Sequence, residues 1–266
     1  MARDDATQRF SNRVENYVRY RPHYPAALGE LLARECGLAA GMTVADLGSG
    51  TGILSELFLR RGCRALGVEP NPEMRAAGER LLGADPRFTS VAGTAEATTL
   101  PDASVDLVAA GQAFHWFDRE PARAEFLRIL RPGGWVVLVW NKRRKSGAPF
   151  MEAYEGLLQR WSVDYAEVDH ERVTDEVVAD FFAPGPVERR SFETRERMDL
   201  EASRGRLESA SYVPAPGHPN HGPMIAELAG LVARHGTAGV VTYEYDTVAY
   251  FGRLVPRRPG VAGARG

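Results

Sequence analysis

Cysteine is nearly missing from this sequence. Cys36 and Cys63 are the only two in 266 residues, and their spacing suits neither a disulfide framework nor a paired-cysteine zinc site. A reducing compartment follows, with the cytoplasm as the expected location. Long apolar runs are missing too. The most continuous one, Trp135 to Trp140, is six residues long, against the ~20 needed to cross a bilayer. The opening MARDDATQRF carries charges but no apolar segment, so no secretory leader and no membrane partner are expected. An excess of one charge sign is also lacking. With 33 basic against 35 acidic side chains, the net charge of −2 argues against affinity built on phosphate neutralisation. Nucleic acid is therefore not an expected partner. Internal repeats are absent. What remains is an ordinary globule, 44% hydrophobic and 26% charged, of one large domain or two small ones. Composition leaves an enzyme, a binding module and a scaffold all open.

Patterning is more informative. Residues 11–35 read as two short helices separated by a stiff loop at Arg21-Pro22-His23-Tyr24-Pro25. From Met42 onward strands and helices alternate, which predicts a parallel sheet covered on both faces. Five strands are expected before residue 141: Met42–Leu47, Ala65–Glu69, Phe88–Val91, Val105–Ala110 and the fully apolar Trp135–Trp140. Between the first two, Ile53, Leu54, Leu57 and Phe58 form a helical stripe that Gly62 ends. Asn71 as N-cap and Pro72 as first helical residue open another helix, with Met74, Ala77 and Leu81 on one face. A further helix is expected near Pro121–Leu130. Beyond Asn141 the rhythm loosens. A basic loop at Lys142–Gly147 precedes a helix at Phe150–Trp161, an edge strand at Val187–Met198, an irregular stretch at Tyr212–Gly222 and a terminal strand pair near Val240–Leu254. Residues Pro256–Gly266 read as a disordered tail.

Between the first strand and its helix lies Val44-Ala45-Asp46-Leu47-Gly48-Ser49-Gly50-Thr51-Gly52. Glycine at alternate positions lets the chain turn tightly and lets a ligand approach where a Cβ would clash. A dinucleotide fold wants G-x-G-x-x-G with pyrophosphate on the helix N-terminus. Here the spacing is G-x-G-x-G with Asp46 beside it, which suits a ligand that carries a cation and no phosphate.

VADLGSGTG resembles the first motif of the class I, Rossmann-like, S-adenosylmethionine-dependent methyltransferases. Further segments are similar to that family in the expected order: Glu69, 23 residues after Asp46, Gly93-Thr94-Ala95-Glu96 ahead of Leu100-Pro101-Asp102, and Leu130-Arg131-Pro132-Gly133-Gly134. Arg21-Pro22-x-Tyr24-Pro25 with Gln112-Ala113-Phe114-His115-Trp116-Phe117 resembles the type 11 small-molecule subgroup that includes trans-aconitate methyltransferases. The resemblance covers about residues 10–141. It implies a Rossmann-like α/β fold, a seven-stranded mostly parallel sheet with helices on both faces and a helical substrate cap. The implied organisation is N-terminal helices and a lid loop over 1–41, a cofactor core over 42–141, sheet completion and cap over 142–255, and the tail. The implied cofactor is S-adenosylmethionine, and the implied partner is a small molecule, with the protein a monomer or homodimer.

As the resemblance implies, Asp46, Gly48, Ser49, Gly50, Gly52, Glu69, Pro70, Thr94, Ala95, Glu96 and Gln112 hold the cofactor, Glu69 through both ribose hydroxyls. Thr94 stands where many relatives carry an acid that reaches the adenine amino group. His115, just past the fourth strand, is the candidate base or substrate contact, and Phe114, Trp116 and Phe117 can line a pocket beside it. Tyr17, Tyr20, Arg21, Tyr24, Trp116 and Tyr212 are the candidate substrate contacts. Lys142-Arg143-Arg144-Lys145 suits a carboxylate or phosphate, or only a solvated loop. His218 and His221 lack a third partner, so no metal is expected. The fourth strand ends in Ala-Ala-Gly-Gln without the Pro-Pro-aromatic motif of amino methylation, and no Pro-Cys nucleophile is present. The reading is methyl transfer to a carboxylate, hydroxyl, amine or activated carbon. A cofactor-binding partner subunit without catalysis stays open, and the glycine spacing disfavours a nicotinamide oxidoreductase.

Overall fold

In the computed structural model, residues 14–163, 165 and 173–257 are described, and the side chains of Val14 and Tyr17 are outside that description. A seven-stranded sheet organises the chain in the order β3-β2-β1-β4-β5-β7-β6. The strands are β1 (Thr43–Leu47), β2 (Arg64–Val68), β3 (Phe88–Val91), β4 (Val105–Gly111), β5 (Leu130–Arg143), β6 (Val187–Met198) and β7 (Val241–Gly252). The first five are parallel, and β7 runs antiparallel to both neighbours. Strand order departs in opposite directions from the β1–β4 pair. Open α/β sheets bind ligands at the carboxyl ends of such a pair.

Continuous apolarity in β5 follows from burial on both faces. Val136, Leu138 and Trp140 pack on one side with Phe126 and Ile129 of α5 (Arg119–Ile129) and Phe181 and Phe182 of α7 (Asp175–Phe182). Val137 and Val139 pack on the other, with Leu28, Leu31 and Leu32 of α2 (Ala26–Cys36) and Leu54 and Phe58 of α3 (Ile53–Arg60). Each fully buried side chain of this size contributes about 1.5–3 kcal/mol through burial. A third cluster joins α6 (Pro149–Trp161), α8 (Leu200–Glu208) and α9 (His221–His235) to the amino-terminal half of β7. It forms a cap over the carboxyl end of β5 and the amino end of β7. α1 (Val14–Tyr20) packs against α8.

Capping follows the sequence closely. Asn71 Oδ1 accepts from Met74 N at 2.9 Å to open α4 (Pro72–Leu82), and Asp199 Oδ1 accepts from Ala202 N at 2.8 Å to open α8. Three expectations need correction. The terminal strand pair near Val240–Leu254 is one twelve-residue strand, since no turn interrupts its alternation and both its edges are paired. Leu81 is exposed, because the last turn of α4 presents Leu82 to the glycine loop instead. The basic loop begins later than expected, since β5 runs on through Arg143. Residues 11–13 of the first expected helix and 258–266 of the expected tail are outside the described residues. No described helix is long and apolar enough to cross a membrane.

Candidate functional site

The turn after β1 is held by two backbone bonds. Gly48 N and Ser49 N both donate to Val68 O, at 2.8 and 3.1 Å. Gly48, Gly50 and Gly52 adopt φ of 65, 58 and 89°, where a side chain is strained. Packing adds a second demand at the outer two. A Cβ on Gly48 would lie 2.6 Å from the Ala113 methyl, and one on Gly52 2.4 Å from Leu82 Cδ1. At Gly50 only the flexible end of Met74 is near, and its N–H donates to Glu69 Oε2 at 2.8 Å.

Glu69 also accepts from Asn71 N, through Oε1 at 2.8 Å. One carboxylate thus ties the glycine loop to the start of α4. Each oxygen keeps acceptor capacity for a ligand. Burial raises the Glu69 pKa, and the Asn71 and Gly50 amides and Arg75 oppose that rise.

Asp46 closes the floor. It is 1% exposed, and its Oδ2 accepts from Ser55 Oγ at 2.7 Å. Its Oδ1 is shielded from water, with no hydrogen-bond partner among the described residues. Burial pushes the carboxyl up from 3.8 to about 7, with Glu69 adding to the rise and Ser55 opposing it. A buried acceptor left unpaired calls for a donor.

At the end of β4, Gln112 is held at φ 58°, in the left-handed region that few non-glycine residues occupy. Its Nε2 donates to Asn141 O at 3.1 Å, and its Oε1 is shielded without a partner. Gly111 leaves room for the Tyr24 hydroxyl, which lies 2.5 Å from where a Cβ would stand. These groups border a cleft of about 430 Å³, part of it open to solvent. Asp46, Gly48, Ser49 and Gln112 line one wall, and Arg21, Pro22 and Tyr24 line the other.

The remaining expected residues separate. Thr94 and Ala97 close a small turn, Thr94 is exposed, and Ala95 is in the core. Glu96 Oε1 accepts from Asp118 N at 2.7 Å, which gives that acid a local role at the start of α5. Pro70 is exposed. His115 and the 39% exposed Trp116 form a 3₁₀ turn beside the loop, with ring centroids 4.7 Å apart, but neither borders the cleft. Phe114 is buried against Trp140 and Phe181, so it is core and does not line a pocket. Tyr20 lies over Gly205 of α8, where a Cβ would come within 2.0 Å of its ring. Tyr212 stacks edge-on to Tyr165 inside the cap, and Tyr17 falls outside the described side chains. Arg143 and Arg144 are tied down. Arg143 pairs with Glu155 and donates to Tyr165 Oη at 2.9 Å, and Arg144 bonds Asp246 at 2.7 Å. His218 Nδ1 accepts from Asn220 N, His221 faces Glu208, and no described cluster could hold a metal.

Ser55, Asn71 and Asn141 carry site geometry that the sequence reading missed. Ser55 faces inward one turn into α3, nine residues after Asp46, and that spacing was available as a signal. Asn141 offers none, since its partners Pro22, Gln112 and Thr247 come from distant segments.

Comparison with known proteins places this arrangement. The methyltransferase-domain family profile matches residues 45–138. An uncharacterized methyltransferase of Geobacillus kaustophilus is 33% identical over 151 residues, which are 54% of this chain and 68% of that relative. The chain belongs to the methyltransferase-domain family. An uncharacterized methyltransferase of Mycobacterium tuberculosis is 43% identical over 143 residues, 53% of this chain. The match spans only 56% of that relative's own length. A solved structure from Anaeromyxobacter dehalogenans, named as a candidate type II methyltransferase, is 27% identical with TM-score 0.66. It covers 90% of this chain and is itself covered in full. The [4+2]-cyclase SpnF shares the fold at 19% identity, TM-score 0.53, over 96% of this chain and 98% of its own.

Family and fold imply S-adenosylmethionine as the cofactor of this methyltransferase-domain chain. The residues fit it. Unpaired oxygens on Asp46 and Gln112 and spare acceptor capacity on Glu69 suit a ligand rich in ammonium, sulfonium and hydroxyl groups. The glycine turn leaves the close approach such a ligand needs.

Proposed function

We propose that this chain transfers a methyl group from S-adenosylmethionine to a small-molecule acceptor. The observation that carries the reading is the sealed Asp46 Oδ1, unpaired under a glycine turn at the β1–β4 switch point. When bound, the cofactor supplies a methyl group already activated by a sulfonium.

The chain's own residues then have binding and orienting work. Asp46, with Gly48, Ser49, Gly50 and Gly52 around it, holds the cationic amino-acid end. Glu69 takes the ribose hydroxyls with the lone pairs that Gly50 and Asn71 leave, beside Pro70. Ala95 and the turn at Thr94 and Glu96 border the base. Gln112 Oε1 accepts at the end of β4. Arg21 and Tyr24 wall the cleft opposite and exclude water. Holding the acceptor in line in this way accounts for about 7–11 kcal/mol of barrier. An ionised carboxylate acceptor needs no base. For a hydroxyl or amine, His115, on the 3₁₀ turn beside the glycine loop, is the candidate to take the proton. Trp116, Tyr20 and Tyr212 shape the acceptor side. The near-neutral charge supports a small acceptor over nucleic acid, and two free, buried cysteines support a cytoplasmic setting.

The test is homocysteine release, after hydrolysis of S-adenosylhomocysteine, from a panel of acids, phenols and amines. Turnover on one class is expected. Tight S-adenosylmethionine binding without turnover on any member would overturn catalysis in favour of a binding subunit.

A further inference from the structure

Behind the cofactor cleft, under the cap, a cation is enclosed without a direct acid partner. Arg206 of α8 is desolvated by the protein around it, yet it keeps part of its surface accessible. A side chain that is both desolvated and partly accessible sits at the floor of an open recess. Its Nε donates to Tyr245 Oη at 3.1 Å, and its Nη1 lies 3.5 Å from Ser209 Oγ. Its Nη2 has no hydrogen-bond partner among the described residues. The guanidinium stays charged, as an arginine does even where the protein desolvates it.

The recess is aromatic, with one acid nearby but not ion-paired. Among the described residues no carboxylate comes within ion-pair distance of Arg206. Glu196, on the same sheet face, has a sealed Oε2 without a hydrogen-bond partner among the described residues; burial raises its pKa, and the charges of Arg206 and His23 oppose that rise. Glu155 is spent on Arg143. Tyr154, Tyr243 and Tyr245 are buried, and their pKa values are raised by burial, so they remain neutral phenols and flat apolar walls. Phe150 closes the box, 5.0 Å edge-on to Tyr243.

The recess also adjoins the cleft. Arg21, which lines the cleft, donates from Nη2 to Ser209 O at 3.1 Å, so two guanidinium groups meet on one residue. A second polar track runs from Gln112 through Asn141 to Thr247 Oγ1, which lies two residues from Tyr245 on the same face of β7.

We infer that Arg206 and Tyr245, with Arg21 at the entrance, form the anion-binding end of the acceptor site and select a small carboxylic acid with an aromatic or apolar body. A desolvated cation without an ion pair is costly unless an anion joins it, and a guanidinium fork matches a carboxylate. This rests on the methyl-transfer reading for its meaning, but not for its test.

Benzoate and neutral benzamide are the probes, followed by saturation-transfer NMR and calorimetry on the full chain without cofactor. Benzoate is expected to bind saturably and at least tenfold more tightly than benzamide. Arg206→Gln is expected to weaken benzoate at least tenfold, and Tyr245→Phe about threefold, with circular dichroism and melting temperature confirming folded variants. If Arg206→Gln fails to fold, Tyr245→Phe and the benzamide comparison still decide. Absent benzoate binding, equal benzamide affinity, or unchanged affinity in the folded variants would overturn the inference. S-adenosylhomocysteine is titrated into the same samples. Its binding with benzoate absent overturns the anion recess alone, and the reverse overturns the cofactor reading alone.

Discussion

Asp46→Asn isolates the ionisable group at the floor of the cleft, and its effect is best read as a pH profile. Burial holds the folded-state pKa up from 3.8 to about 7. Between those values the folded chain keeps a proton that the unfolded chain has released. Stability contributed by this group is therefore present at low pH and is lost as pH rises, completely above about 7. The gap between 3.8 and about 7 corresponds to about 4 kcal/mol, and more than half of it falls between about pH 5 and about pH 8. Asparagine keeps an oxygen for the Ser55 hydroxyl and cannot ionise. Whatever its amide costs to bury is the same at every pH and cancels from the comparison. Urea unfolding of the cofactor-free chain across this range gives the readout. Wild-type stability is expected to fall by about 2–3 kcal/mol more than that of the variant. Parallel profiles would refute the raised pKa. The same logic predicts cofactor affinity that strengthens with pH up to about 7 in the wild type and stays flat in Asp46→Asn.

Glu69→Ala should weaken S-adenosylhomocysteine binding by about 1–3 kcal/mol, read by calorimetry, and an unchanged dissociation constant would remove Glu69 from the site. Gly48→Ala should lower unfolding free energy by about 2 kcal/mol, because its φ of 65° and the Ala113 methyl at 2.6 Å both oppose a Cβ. His115→Ala should cut turnover on a hydroxyl or amine acceptor by about 10²–10⁴ while leaving cofactor affinity unchanged. A matched loss of stability would instead assign His115 to packing. Glu155→Ala strands the Arg143 guanidinium inside the cap and should cost about 3–5 kcal/mol in urea unfolding.

Legibility in the sequence tracked how local each cause is. Parallel strands buried on both faces write themselves as apolar runs, so Trp135–Trp140 and Val105–Ala110 were readable. The glycine turn beside Asp46 was readable because a strand-to-helix turn demands a short, fixed spacing, whereas Glu69, 23 residues on, was marked only by the family resemblance. The partner of Glu96 was not readable: its carboxylate meets Asp118 N, 22 residues on, and nothing nearby marks that pairing. The basic run after β5 looked available, but its Arg144 is held by Asp246, 102 residues away. Arg206 sits in LEASRGRLE, a segment whose composition suits a solvated helix. Only the packing of α8 over β7 turns that arginine inward.

The central claim is a cofactor cleft built on Asp46, Glu69 and the glycine turn. Calorimetric titration of the full chain with S-adenosylhomocysteine, with NAD as the control ligand, tests it most directly. One saturable site per chain for S-adenosylhomocysteine and no heat from NAD is the expected result. No binding of S-adenosylhomocysteine, or binding of NAD in its place, would contradict it.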